Sequence, residues 1–259
     1  MPISNNVAVI VSDDMIASQN VNHDNIITVK PTAANNLIFP LANKNANLIE
    51  EKFFWRNSLT TNLNWVKLDD RDDPADDSSF SPTTDVFSVS SLYGRNITKT
   101  LAASGLMEYR TTLLDNFNDP GYLDLGVGAT WTPIENLIVV IHPLNYNFVF
   151  SSGDSVFESS LGAKIVADYT RQIGAINLKS NLSMFQSYKS SNYSNWTWNN
   201  SFGYTLWKMI GVGFDFGLRS NKQEALDYAL NTLGDTNATF DNVNNDLQTY
   251  YTLGLSYKF

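Results

Sequence analysis

The chain has no cysteine, so it can form neither a disulfide nor a cysteine-based metal site. It has two histidines, His23 and His142, and no Ser–His–Asp arrangement or paired metal ligand can be built on them. Charge is scarce: 17% of residues are charged, against about 25% in ordinary globular domains. The net charge of -9 argues against a nucleic-acid surface. Long apolar runs are also missing. No aliphatic run is longer than that of Leu137 to Ile141, whereas a spanning helix needs about 20 apolar residues. A mean hydropathy of -0.20 is too polar for a bundle of membrane helices. The opening "MPISNNVAVIVSDD" has no basic start and no long apolar core. It reads either as a cytoplasmic start or as a mature chain carrying an added Met.

What the chain does have is aromatics, 13% of it, and alternation. In "GVGFDFGLR", Val212, Phe214, Phe216 and Leu218 alternate with Gly213, Asp215, Gly217 and Arg219. In "YLDLGVGATW", Leu123, Leu125, Val127, Ala129 and Trp131 alternate with Asp124, Gly126, Gly128 and Thr130. Period two with one bulky apolar face and one small or polar face is the mark of a strand. The same test gives strands at roughly 53–68, 84–94, 98–113, 121–132, 136–150, 161–173, 175–188, 195–208, 211–221 and 246–259. Many exceed the ~5–6 residues of a usual strand. In "LIVVIHPLNYNFVF" the apolar phase changes after Pro143, which predicts a bulge at His142–Pro143. Residues 1–52 hold short apolar pieces among asparagines and read as two further strands or a periplasmic arm.

Connections alternate between short ("GRNIT", "TPIE", "QIGA", "KMIG") and long polar ones (69–83, 114–120, 151–160, 189–194, 222–245). Transmembrane barrels segregate loops in this way. In hydrocarbon only helices and closed barrels satisfy every backbone polar group, and composition excludes the helices. The expected fold is therefore an all-β, transmembrane, antiparallel up-and-down barrel of about ten to twelve strands. Its apolar face meets lipid, and Trp55, Trp65, Trp131, Trp196, Trp198 and Trp207 lie near strand ends as interface anchors. An even strand count follows if both ends lie in the periplasm. On this reading the missing leader reflects a mature chain with an added Met. A soluble lipocalin-like barrel is the competing fold, with its apolar face inward.

The chain closes on "TYYTLGLSYKF". Leu253, Leu255, Tyr257 and Phe259 resemble the terminal signal that barrel-assembly machinery reads in bacterial outer-membrane proteins. More broadly, "FWRNSLTTNLNWVK", "LMEYRTTLLDNFNDPGYLDLGVGATWTPIENLIVVIHPL" and "LGLSYKF" resemble a family of Bacteroidota outer-membrane β-barrels, DUF3078, a domain of unknown function. The resemblance covers about four-fifths of the chain, from Phe53 to Phe259. Residues 1–52 lack the family's upstream hairpin. The resemblance implies no enzymatic activity and no catalytic residues.

Two residue sets are candidate sites. "DDRDDPADDSS" gathers Asp69, Asp70, Asp72, Asp73, Asp76 and Asp77, carboxylates of the kind Ca²⁺ takes. A solvated acidic loop, bridged to lipopolysaccharide through divalent ions, is the other reading. Arg56, Glu108, Arg110, Lys164, Asp168, Lys179, Asp215 and Arg219 fall on the small, polar phase and are expected to line the lumen. Paired charges of both signs close a narrow barrel, whereas in a wider one they select solutes. The sequence thus predicts a non-enzymatic outer-membrane barrel, a structural or accessory subunit or surface scaffold with a largely closed lumen. A narrow, porin-like channel for small solutes and a soluble ligand-binding barrel are the alternatives. Expected partners are outer-membrane lipid and lipopolysaccharide, the assembly machinery and other outer-membrane proteins. No cofactor is expected beyond Ca²⁺ at the acidic loop.

Overall fold

The computed structural model describes residues 44–66, 81–114, 116–152, 156–207, 210–243 and 247–257. Eleven strands form one antiparallel sheet in strict sequence order. They are β1 (Lys44–Ile49), β2 (Phe53–Val66), β3 (Ser81–Asn96), β4 (Leu101–Thr111), β5 (Gly121–Ile134), β6 (Leu137–Phe150), β7 (Ser160–Ile173), β8 (Ile176–Ser187), β9 (Asn195–Trp207), β10 (Ile210–Asn221) and β11 (Leu247–Tyr257). Each segment from 53 onward that alternation marks as a strand is one. β1 is the addition, and it pairs with β2 from Lys44↔Leu59 to Ile49↔Phe54. The sheet therefore begins upstream of Phe53. As odd-numbered strands of an antiparallel meander, β1 and β11 run in the same direction.

The two faces differ as the alternation requires. In β5, Tyr122, Asp124, Gly126 and Thr130 are buried, while Leu125, Val127 and Trp131 are exposed. On β10 and β11, Phe214 is 41% exposed and Leu253 is 57% exposed. The sheet thus turns its bulky apolar side chains outward and covers a face rich in small and polar groups. A sheet that buries one face of itself must curl. Laid flat, β5 and β10 would sit about 24 Å apart at ~4.8 Å per strand. Yet Tyr122 on β5 meets the residues just after β10 at hydrogen-bond distance.

The covered face also carries one apolar layer. Phe54, Leu92, Ala102, Leu106 and Val140 form a buried cluster with Ile138 and Val166 packed against it. It draws on β2, β3, β4, β6 and β7, so the curl brings the two ends of this run together. Gly94 makes room: a Cβ there would lie 2.3 Å from the Phe54 ring. Phe54 is out of phase with its outward neighbour Trp55, and strand alternation alone places it inward.

The bulge falls where the proline puts it. His142 and Pro143 together oppose Gly128 on β5, because the register steps from Val127↔Leu144 to Ala129↔Ile141. On β7 it steps from His142↔Lys164 to Asn145↔Gly162. Burial changes phase at the same point, from Val140 and His142 to Asn145 and Asn147. A Cβ on Gly128 would sit 2.2 Å from the Ile141 carbonyl oxygen and 2.8 Å from Pro143 Cδ, so glycine is required there.

Short turns (50–52, 97–100, 135–136, 174–175) gather at one end of the sheet and the long connections at the other. The link after β10 holds a feature the sequence reading leaves out, a short helix α1 (Lys222–Asp227) that runs on into a π turn, Tyr228–Thr232. Asn221 caps it by accepting from Gln223 N and Glu224 N. Gln223, Ala225, Leu226 and Ala229 are buried beneath it. Among the described residues no helix is long and apolar enough to cross a membrane, which bears only on helices.

Candidate functional site

Glu108 and Arg110 on β4, Asp124 on β5 and Lys164 on β7 meet on the covered face. Lys164 Nζ lies 2.7 Å from Asp124 Oδ2 and 3.5 Å from Glu108 Oε2. Arg110 completes the ring, 3.1 Å from Glu108 and 3.7 Å from Asp124. The Lys164 and Asp124 side chains are both fully buried. An isolated buried charge is very costly, so pairing is the condition for burial. Asn145 Nδ2 and Asn147 Nδ2 donate to the other Asp124 oxygen at 2.8 Å and 3.0 Å. The bulge makes this possible, since without its phase change Asn145 and Asn147 would face outward. Beside them His142 Nε2 lies 2.9 Å from Ser104 Oγ, which accepts from Thr130 Oγ1 at 2.8 Å.

The network continues towards the long loops. Arg110 lies over the Tyr122 ring at 5.6 Å. Tyr122 Oη donates to Glu224 Oε1 at 2.6 Å and accepts from Asn221 Nδ2 at 3.2 Å. Glu224 also pairs with Arg219. Helix α1 is tied to a third place, because the Glu158 amide donates to Gln223 Oε1 at 2.5 Å. The helix therefore reaches across the mouth of the covered face, from the end of β10 to β5 and to the connection ahead of β7.

Outside the strands, four loop groups are shifted. Hydrogen bonds from the Ser152 side chain and amide, and from Ser151, hold the Asp119 carboxyl below its ordinary range. A hydrogen bond from Lys189 lowers Glu158, and the same contact raises Lys189. Desolvation, then Glu158, raises Tyr193.

Of the eight residues expected to face inward, Glu108, Arg110 and Lys164 meet in the ring, and Arg219 joins the helix latch. Arg56 on β2 and Asp168 on β7 attract one another across the covered face, and Arg56 lies 5.5 Å from the Phe54 ring. Asp168 accepts from Asn181. Lys179 is exposed and Asp215 half-buried, and among the described residues neither forms an ion pair. By register the covered phase of β2–β11 carries five cations (Arg56, Arg110, Lys164, Lys179, Arg219) and four acids (Glu108, Asp124, Asp168, Asp215). Asp124 is the residue the site reading omits, although it sits on the polar phase of its strand. Tyr122 and Glu224 are further additions. Glu224 lies three residues after Asn221 and directly before Ala225 and Leu226, a helix-start pattern that was open to reading. Asp69, Asp70, Asp72, Asp73, Asp76, Asp77 and Phe259 lie outside the described residues. So do the side chains of Leu255 and Tyr257, although their backbone belongs to β11.

Residues 32–117 match the model of a protein family of unknown function, DUF3078. The match spans about a third of the chain and covers β1 to β4 and the residues just ahead of them. It supports the resemblance carried by "FWRNSLTTNLNWVK" and starts upstream of it, within residues 1–52, which lack the family's hairpin pattern. No curated protein matches the chain.

Proposed function

We propose that this DUF3078-type chain is an integral outer-membrane β-barrel protein with a largely closed lumen, acting as a structural or accessory subunit or surface scaffold. The observation that carries the reading is the inverted distribution of side chains. Lys164 and Asp124 are fully buried on one face, while Leu253, Val127 and Trp131 stand exposed on the other. In water that arrangement forfeits the hydrophobic effect over a whole sheet face, and in hydrocarbon it is the favourable one. It also weighs against a soluble ligand-binding barrel, which needs the apolar set inside. Two features favour a closed interior. The charges of the ring are mutually neutralised, and α1 lies across the mouth on the long-loop side. No catalytic step is part of the proposal.

The terminal residues Leu253, Leu255, Tyr257 and Phe259 would then serve the assembly machinery, and the acidic loop from Asp69 to Asp77 would face lipopolysaccharide and divalent cations. The test is fractionation followed by reconstitution. The full chain should partition with outer membranes, need detergent for extraction and give no steady conductance in planar bilayers. A monodisperse monomer without detergent sinks the membrane reading. Stable conductance steps would sink only the closed lumen. A narrow channel for small solutes is the second reading. It is favoured by Gly213 and Gly254, where an added Cβ would meet nothing within 4 Å. Liposome swelling with small sugars or amino acids separates the two.

A further inference from the structure

The interior charges divide sharply. The ring and the latch neutralise themselves, and Arg56 and Asp168 attract one another although they form no ion pair among the described residues. Lys179 and Asp215 also remain without an ion pair among the described residues, on strands that contribute nothing to the buried apolar cluster; Phe185, buried on the same phase of β8, lies six residues nearer the long loops than Lys179. They share one ladder row, Lys179↔Ser201↔Asp215↔Thr252. Two strand spacings put their backbones about 10 Å apart, too far for direct contact by a side chain as short as aspartate. The next row towards the short turns is Asn177↔Gly203↔Gly213↔Gly254. A Cβ on Gly213 or Gly254 would touch nothing within 4 Å, and one on Gly203 would make only ordinary contact with Asn177. Asp215 therefore stands above a shelf of three glycines and Lys179 above Asn177, with Ser201 between the two charges as a hydrogen-bonding group.

We infer that this recess binds a small zwitterion of amino-acid or dipeptide size, its carboxylate held by Lys179 and its ammonium by Asp215. A site with one free charge would select an ion of the opposite sign. Two unlike charges at this spacing favour a molecule that carries both, and each charge-assisted contact adds discrimination. The near balance of charge over the whole face favours neither cations nor anions by its long-range field. The site opens towards the short-turn side, away from α1, so a closed long-loop mouth does not block it.

The test is equilibrium binding of alanylalanine to the full chain in detergent micelles, against its N-acetyl form (anion only) and its C-terminal amide (cation only). Each capped form should bind about tenfold more weakly, the loss of one charged contact at 1.4 kcal/mol per decade. Lys179→Gln should abolish the advantage of the dipeptide over its amide while keeping its advantage over the acetyl form. Asp215→Asn should do the reverse. Gly213→Val, which fills the shelf, should remove binding of all three. Folding is checked by heat-modifiable mobility, which none of these changes should alter. If the folded wild type does not bind, if the capped forms bind equally well, or if both charge variants lose both preferences together, the inference is overturned. Binding in micelles does not depend on where the chain resides, so the inference and the membrane reading fail separately.

Discussion

The run from β2 to β7 and the run from β8 to β11 are built from the same kind of strand, yet they fill their covered face in opposite ways. The first carries Phe54, Leu92, Leu106 and Val140 in one buried layer and the four-membered ion-pair ring in the next. Its glycines are tight: Gly94, Gly126, Gly128 and Gly162 would each drive a Cβ to 2.5 Å or closer to a neighbouring atom. The second carries one buried aromatic, Phe185 at the long-loop end of β8, and otherwise mainly Asn, Ser, Thr and glycine, and two of its glycines face open space. One half is a packed core that happens to be largely polar, and the other is a lining. The same composition can therefore seal an interior on one side and leave room on the other. What decides is whether bulky residues take the inward phase.

The largest effect should come from the filled half. Lys164→Met leaves buried Asp124 only the longer contact to Arg110 and should cost about 3 kcal/mol in unfolding free energy, the low end for a broken buried pair. Adding Asp124→Leu should restore most of the loss, because an apolar pair leaves no uncompensated charge. Lys179→Met on the lean half should change stability by less than about 0.5 kcal/mol, as for an ordinary surface change. Urea unfolding in micelles reads all three. Equal costs for Lys164→Met and Lys179→Met would erase the distinction between the halves.

Next come the glycines. Gly128→Val must displace the Ile141 carbonyl and the Pro143 ring, and should cost about 1–3 kcal/mol by overpacking. Gly213→Val enters open space and replaces a poor strand former by a good one, so its effect should be neutral or slightly stabilising. If Gly128→Val is as harmless as Gly213→Val, the bulge does not sit against β5 as described.

The difference between the halves also sets how much the sequence discloses. The strand positions from Phe53 onward, the outward apolar phase and the bulge at Pro143 follow from period two and from proline's missing N–H, which are local facts. Lys164 and Glu108 are legible as inward residues for the same reason. That they meet Asp124 rather than Asp168 or Asp215 is not, because partner choice across a curled sheet depends on stagger and tilt, which alternation does not encode. The apolar layer escapes for a related reason. Phe54 lies between two outward aromatics, Phe53 and Trp55, so its own inward packing is masked by theirs. β1 is six residues long, too short for its alternation to stand out from the asparagine-rich segment around it. Helix α1 carries its cap in plain view, but six residues inside a long polar link give periodicity little to work on.

The latch on that helix should give a smaller effect than the glycines. Glu224→Gln keeps an acceptor for Tyr122 but loses the charge that meets Arg219, at about 1 kcal/mol. Its use lies in function: a helix held less firmly across the mouth should raise the rate of liposome swelling. Lys179→Gln, which lies below the latch, should leave the rate with small neutral sugars unchanged. Swelling that responds to Lys179→Gln and not to Glu224→Gln would place the barrier in the lean half instead.

The smallest effect belongs to the loops that tie the two halves together. Glu158, from the connection ahead of β7, pairs with Lys189, from the connection after β8. The contact lowers the acid and raises the base. A depressed carboxylate stabilises the tie above its unfolded pKa and loses that contribution as pH falls through the folded value. A raised lysine stabilises it below its own unfolded pKa and loses that contribution as pH rises through the folded value. The tie should therefore hold across neutral pH and loosen at both acidic and strongly alkaline extremes. Both side chains are largely exposed, so solvent and salt screen the pair and its global weight is slight. The readout is local hydrogen exchange of the residue 156–159 and 188–190 backbone at two pH values. After correction for intrinsic rates, exchange should speed up below the ordinary carboxylate range in the wild type. Lys189→Met should show the faster exchange already at neutral pH, with little further change on acidification. A pH response that survives Lys189→Met unchanged would mean that another group holds the loops, with Asp119 and its two serine partners the first to test.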